Sequence, residues 1–196
     1  MISSILLAAG MSTRMGEPKP LLAWGNEPLI RYQIRQLLEG GVDEVVVVLG
    51  HRGDEVHREL HGLVYRAVLN PTHQLGRAGS LRAGAKAVDQ DATAIVILNV
   101  DQPRPASLIR TLIEAHTAEA VATRPEHEGR HGHPVVVSSR LRPELLGAAD
   151  DHDGLRGILA AHSDEIVDVP SDESCLLDLN TREEYEAALA TIGSDA

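Results

Sequence analysis

ISSILLAAGMSTRMGEPKP, residues 2 to 20, begins as an apolar run and ends as a loop carrying two glycines, two prolines, an arginine and a lysine. The run from Ile2 to Ala9 is short and apolar and meets Gly10 at once, which is the pattern of a buried strand ending in a tight turn. Outward from it, Leu29, Ile30, Ile34, Leu37 and Leu38 recur at helical spacing, and Val45 to Leu49 is again a β-branched run. Further strands are expected at Tyr65–Leu69, Ala94–Val100, Pro134–Ser138 and Ile166–Val169. Further helices are expected around Val56 and Leu60, around Leu81, Ala85 and Val88, and over Ala106–Ala115, Gly154–Ala161 and Thr181–Ala190. Strands that alternate with helices need crossover connections, so the expected fold is α/β, a Rossmann-like three-layer α/β/α arrangement around a mainly parallel, mixed sheet. Residues 124 to 153, rich in His, Gly, Asp and Glu, break the alternation and are expected to form an insertion-like lobe beside the sheet's C-terminal edge.

The chain has 196 residues with no Pro/Gly/Ser-rich linker and no internal repeat, and is expected to be one domain over 1–196. Aromatics are only 2% of it and Phe is absent, so the core must be built from Val, Ile, Leu and Ala. A net charge of −11 repels a phosphate backbone and argues against nucleic acid as a partner. Cys175, the only cysteine, excludes an internal disulfide and a zinc site made of several thiolates. With no basic leader and no apolar run near the ~18 residues of a membrane span, a cytoplasmic, membrane-free protein is expected.

The opening loop reads G-x5-G-x-x-K from Gly10 through Gly16 to Lys19. It is neither a Walker A loop nor G-x-G-x-x-G. Each of Glu17 and Lys19 precedes a proline, which disfavours helical backbone, so both are expected to be extended, with Lys19 on a stiff arm. Small residues at Ala8, Ala9 and Gly10 let backbone N–H groups approach an anion. Arg14 offers a forked donor for phosphate and Lys19 a point charge. A glycine-rich turn with two solvated cations has the same spacing.

LAAGMSTRMGEPKPLLAWGNEPLI resembles the signature of the MobA-like nucleotidyltransferases, most closely the molybdenum cofactor cytidylyltransferases. The resemblance continues through LNPTHQLGRAGSLRAG, VDQP, GHPVVVSSRLRPELL with DGLRGIL, and DLNTREEYEAAL. It implies a fold of the nucleotide-diphospho-sugar transferase type and a Mg2+-dependent transfer of CMP from CTP to the phosphate of molybdopterin, with release of pyrophosphate. Its rivals are GTP on the same acceptor, a sugar or polyol phosphate as acceptor, or a non-catalytic nucleotide or cofactor carrier. The product would pass to a molybdoenzyme client or that enzyme's chaperone.

By the same resemblance, Leu7, Ala8, Ala9, Gly10 and Ser12 form the nucleotide loop, Arg14 grips the β- and γ-phosphates, and Lys19 reaches the α-phosphate and the incoming oxygen. Gly76, Gly79 and Ser80 read the base, with Ser80 also a candidate cap for the helix that follows. Many family members have a serine where this chain has Gly79. Asp101, at the end of the strand AIVILNV, is both a catalytic and a metal candidate, although Asp ahead of Gln-Pro also opens turns. Asn180 is the second metal candidate. Asn180 with Glu183, or Thr181 with Glu184, also makes a capping box for the last helix, in a family that usually has Pro where this chain has Arg182. His131, Gly132, His133 and Pro134 lie on the acceptor side. With His127 they offer three imidazoles but no fourth ligand for tetrahedral zinc.

Overall fold

A computed structural model describes residues 1–10 and 16–192. The nucleotide-loop residues Ser12 and Arg14 therefore lie outside the described residues. Ten strands and seven helices follow one another along the rest of the chain. They are β1 (Ile2–Ala8), β2 (Ala23–Trp24), β3 (Glu27–Pro28), α1 (Leu29–Glu39), β4 (Glu44–Leu49), α2 (Gly53–Glu59), β5 (Arg66–Leu69), α3 (Arg77–Ala87) and β6 (Ala94–Asn99). Then come α4 (Ala106–Ala115), β7 (Ala122–His127), β8 (Arg130–His131), β9 (Val135–Ser138), α5 (Arg142–Leu146), α6 (Leu155–Ala161), β10 (Ile166–Pro170) and α7 (Arg182–Ile192).

The main sheet has the order β10-β7-β9-β6-β1-β4-β5, with β8 paired to β7. β1 runs parallel to both β4 and β6, and β4 to β5, as crossover helices require. β9 lies antiparallel to its neighbours β6 and β7, β8 lies antiparallel to β7, and β10 returns parallel to β7. The sheet is thus mixed and mainly parallel, as expected.

Alternation along the central strands builds the three layers. Leu6, Val45, Val47, Val96 and Leu98 point to one face, where α1, α2, α4 and α7 supply Ile34, Val56, Ile109 and Tyr185. Ile5, Val46, Val48, Ile95 and Ile97 point to the other, covered by Leu81 of α3, Leu145 of α5 and Leu159 of α6. Each such side chain taken fully out of water contributes about 1.5–3 kcal/mol.

Residues 124–153 are not a lobe beside the sheet. Ala122–His127 is a sheet strand between β9 and β10, and β9 is the antiparallel strand that joins it to β6. Pro125 is tolerated in β7 because pairing with β9 ends at Thr123 and pairing with β8 begins at Glu126, so no ladder amide is needed there. No helix among the described residues is long and apolar enough to cross a membrane.

Candidate active site

Parallel strands end together, so β1, β4, β5 and β6 deliver Gly10, Gly50, Asn70 and Asp101 to one edge of the sheet. Antiparallel β9 starts at that same edge, since Val135 pairs with Ile97, and this brings Gly132, His133 and Pro134 to it. The His133–Pro134 peptide is cis.

Lys19 does not lie on an extended arm. Pro18 is extended, but Lys19 opens a 3-10 turn over Lys19–Leu21, closed by Leu21 N–H donating to Pro18 O at 2.9 Å. The turn's hydrogen bonds override the pre-proline preference, and buried Leu22 and Trp24 anchor the chain behind it. Its aim is set by α7: Tyr185 Oη donates to Ala23 O at 2.5 Å, and Arg182 Nη1 to Glu17 Oε1 at 3.1 Å.

The Lys19 ammonium meets Asp101 Oδ2 at 2.6 Å and Asn180 Oδ1 at 3.1 Å. The Lys19 and Asp101 side chains keep only 15% and 19% of their surface exposed, so the pair is far less screened than a surface bridge. Asn180 is available because the cap of α7 is made by its neighbours. Thr181 Oγ1 accepts from Glu184 N at 3.1 Å, and Glu184 Oε2 accepts from Thr181 N at 2.9 Å and Asn180 N at 2.8 Å. Of the two capping boxes the sequence permits, the Thr181–Glu184 box forms, and it leaves the Asn180 amide oxygen to the site. Leu179 N donates to Asp101 O at 2.9 Å and Gln102 Nε2 to Asp178 Oδ1 at 2.7 Å, which lace the strap before α7 onto the loop after β6.

Two side-chain oxygens trained on one cation form a donor set that suits a hard divalent ion sharing its shell with phosphates and water. Here the Lys19 ammonium occupies the position between them. No group of three or more His, Cys, Asp or Glu that could hold a metal by itself occurs among the described residues.

A cleft of about 360 Å³ opens between the ends of β1 and β6, the start of α3 and the turn before α6. Leu7, Ile97, Asn99, His133, Arg77 and Arg156 line it. Burial, with Arg104 nearby, pushes the His133 imidazole below its ordinary pKa, so it is neutral at pH 7. His131 is elsewhere: it is exposed and stands beside Arg124 (3.0 Å) and Asp168 (3.5 Å) at the strand edge.

The start of α3 is held in a way the sequence does not disclose. Ser80 is no cap: it lies inside α3, buried, and accepts from Asn70 Nδ2 at 2.9 Å. Asp150, from far along the chain, accepts from Ala78 N at 3.0 Å instead. Gly76, at φ 128°, permits this, since a Cβ there would lie 2.2 Å from Asp150 Oδ2. A Cβ on Gly79 would come within 3.3 Å of Asn70 Nδ2. Sequence reasoning missed Asn70, Asp150 and the buried Arg104. Their roles come from partners the fold supplies: Ser80 for Asn70, Ala78 for Asp150, and the carbonyls of His133, Cys175 and Leu177 for Arg104.

Comparison with known proteins agrees with this geometry. The MobA-like NTP transferase domain matches residues 4–166. The nicotine blue oxidoreductase of Paenarthrobacter nicotinovorans is 30% identical over 193 residues, covering 93% of this chain and 94% of that one. The chain spans only 30% and 43% of two further curated relatives. A nucleotidyl transferase structure from Methanothermobacter thermautotroptrophicus superposes with a TM-score of 0.87 at 24% identity, covering 100% of this chain and 99% of that one. The Rv0371c structure of Mycobacterium tuberculosis in complex with manganese gives 0.76 at 25% identity, covering 96% and 97%. The fold is the nucleotide-diphospho-sugar transferase type, and the chain belongs to the MobA-like NTP transferase family.

Proposed function

We propose that the chain, acting as one MobA-like domain over residues 1–196, transfers CMP from CTP to the terminal phosphate of molybdopterin and releases pyrophosphate. The observation that carries this reading is the Lys19 ammonium held between Asp101 and Asn180. It joins a cationic group from the opening loop to an oxygen-lined seat made by the loop after β6 and the strap before α7, which is what a polyphosphate with its counter-ion needs. The cytidylyl and molybdopterin assignments rest on the motifs that resemble the cofactor cytidylyltransferases.

In the reaction an acceptor phosphate oxygen attacks the α-phosphorus, the bond from that phosphorus to the bridging oxygen breaks, and pyrophosphate leaves with the electron pair. Asp101 and Asn180 would hold Mg2+, which neutralises part of the triphosphate's charge. Lys19 stabilises the charge that builds on the α-phosphoryl oxygens, and preorganised contacts of this kind are worth on the order of 10²–10³ in turnover. Arg14 takes the outer phosphates and the loop from Leu7 to Gly10 their backbone contacts. The base would approach the start of α3, where Gly76 admits the Asp150 carboxylate and Gly79 lies against Asn70, and the buried Ser80 sets that helix through Asn70. His133, neutral, presents its ring to the acceptor in the cleft.

The name of the full-length relative supplies a second reading, an oxidoreductase within the same family. One panel separates the two: ATP, CTP, GTP and UTP with Mg2+ or Mn2+ and molybdopterin, followed by pyrophosphate release, beside an assay for reduction of nicotine blue. Pyrophosphate formed with CTP at a rate above that with GTP supports the cytidylyl reading. Nicotine blue reduction with no pyrophosphate from any nucleotide overturns it.

A further inference from the structure

Arg104 sits between Pro103 and Pro105 in the loop that joins β6 to α4, yet it is completely buried. Its partners are all carbonyl oxygens. Nε donates to His133 O at 2.8 Å, Nη1 to Pro103 O and Leu177 O at 2.9 Å each, and Nη2 to Cys175 O at 2.7 Å. Burial lowers its pKa to about 10, so the guanidinium keeps its charge at neutral pH. Asp178 and Asp101 offset part of that burial through space, but every group the guanidinium touches is a neutral carbonyl, and a buried charge so held is costly, whereas a neutral side chain of the same size would fill the volume at less cost.

The carbonyls it gathers come from two segments that serve different parts of the site. His133 O belongs to the loop that leads into β9 and lines the cleft. Cys175 O and Leu177 O belong to the strap that runs on to Asp178 and Asn180. The strap has its own ties to the loop after β6, through Leu179 N to Asp101 O and Gln102 to Asp178. The His133 loop has two of its own, and only one reaches the strap: Gly132 N donates to Pro125 O, and His133 N to Cys175 O, the oxygen that Arg104 also holds. Gly132 packs so closely on the strap that a Cβ would come within 2.2 Å of Cys175 O. The position of His133 relative to the seat therefore depends on the guanidinium.

We propose that Arg104 is a positioning residue that fixes the acceptor side of the cleft, holding the Gly132–His133 loop against the strap that carries Asn180. It rests on the reading of that cleft as the acceptor's. Arg104→Lys keeps a charge but loses the fork. The expected result, measured well below the melting temperature, is an acceptor KM raised on the order of tenfold, because small misplacements of a positioning group are costly. The KM for CTP and the Mn2+–CTP affinity stay within about twofold. Gly132→Ala, which pushes the same loop off the strap at Cys175 O and leaves residue 104 an arginine, should give the same split, and it decides the matter if Arg104→Lys does not fold. A lowered Tm with unchanged constants, or equal shifts on both substrates, overturns the proposal. Should the unaltered protein transfer to no acceptor, hydrogen exchange still judges it. Amides of Gly132 and His133 must exchange faster in Arg104→Lys while the Leu179 amide exchanges as before, and a uniform rise or no change overturns it.

Discussion

Asp101 carries one carboxylate into the seat, and Lys19 reaches it at 2.6 Å. Two consequences follow from that contact. Without the ammonium, the protein keeps its core, because Lys19 is not among the core residues, but loses a preorganised charge at the phosphate. Lys19→Ala is expected to fold, bind CTP and turn over on the order of 10²–10³ more slowly, measured by pyrophosphate release; near-normal turnover would remove Lys19 from the chemistry. A metal held by Asp101, as proposed, would have to displace that same ammonium. Lys19→Met should therefore bind Mn2+ in the absence of nucleotide on the order of tenfold more tightly than the unaltered chain, read by electron paramagnetic resonance. Asp101→Asn should abolish that gain. These residues were legible in the sequence because each closes a motif: Lys19 the opening loop, Asp101 a strand, Asn180 a helix start. Arg104, Asn70 and Asp150 were not, because their partners lie at residues 133, 175 and 177, at Ser80 and at Ala78. A one-dimensional pattern carries no sign of such pairings.

At the scale of elements, legibility followed patterning. β4, β6 and β9 are almost wholly aliphatic runs, β1 is one but for Ser3 and Ser4, and α4 has a clear helical period, and these were expected within a residue or two. β7, ATRPEH, has one β-branched residue and an internal proline, so neither period nor propensity marks it. Its place follows from pairing with β9 and β10, and without it residues 124–153 looked detached from the sheet. Helix α3 shows the opposite case, a visible helix whose tightest contact is hidden. Gly84 faces β1 so closely that a Cβ would lie 2.4 Å from Ile5 Cγ2. Gly84→Ala gains helix propensity but overpacks that contact, for a net loss of about 1–2 kcal/mol in urea unfolding. Combined with Ile5→Ala, the loss should be smaller than the sum of the single losses by about 1 kcal/mol or more. Strict additivity would place Gly84 away from Ile5.

For the whole molecule, half-buried histidines link stability to pH. Burial depresses the pKa of His133, and burial and then Arg140 depress that of His116, whose Nδ1 meets Thr123 Oγ1 at 2.9 Å. In the unfolded chain both titrate near the ordinary histidine value of about 6.5. Between that value and their lower folded ones, the unfolded state binds more protons, so stability rises with pH there. Their contribution is complete above about pH 6.5 and is lost as the pH falls through the folded values. His162 has the opposite sign: contacts with Glu165 and Glu144 raise its pKa, so its contribution is present at low pH and lost as the pH rises through its folded value. It is a surface contact, screened by solvent, whereas the other two act from within the fold. The net expectation is an unfolding free energy that falls as the pH is lowered from 7 to 5.5. His133→Gln and His116→Gln should each flatten that slope and His162→Gln should steepen it, as read from urea midpoints at half-unit pH steps. A slope that His133→Gln leaves untouched would show that the imidazole beside the cleft is free to take up a proton in the folded chain, and would remove the neutral ring from the acceptor side of the site.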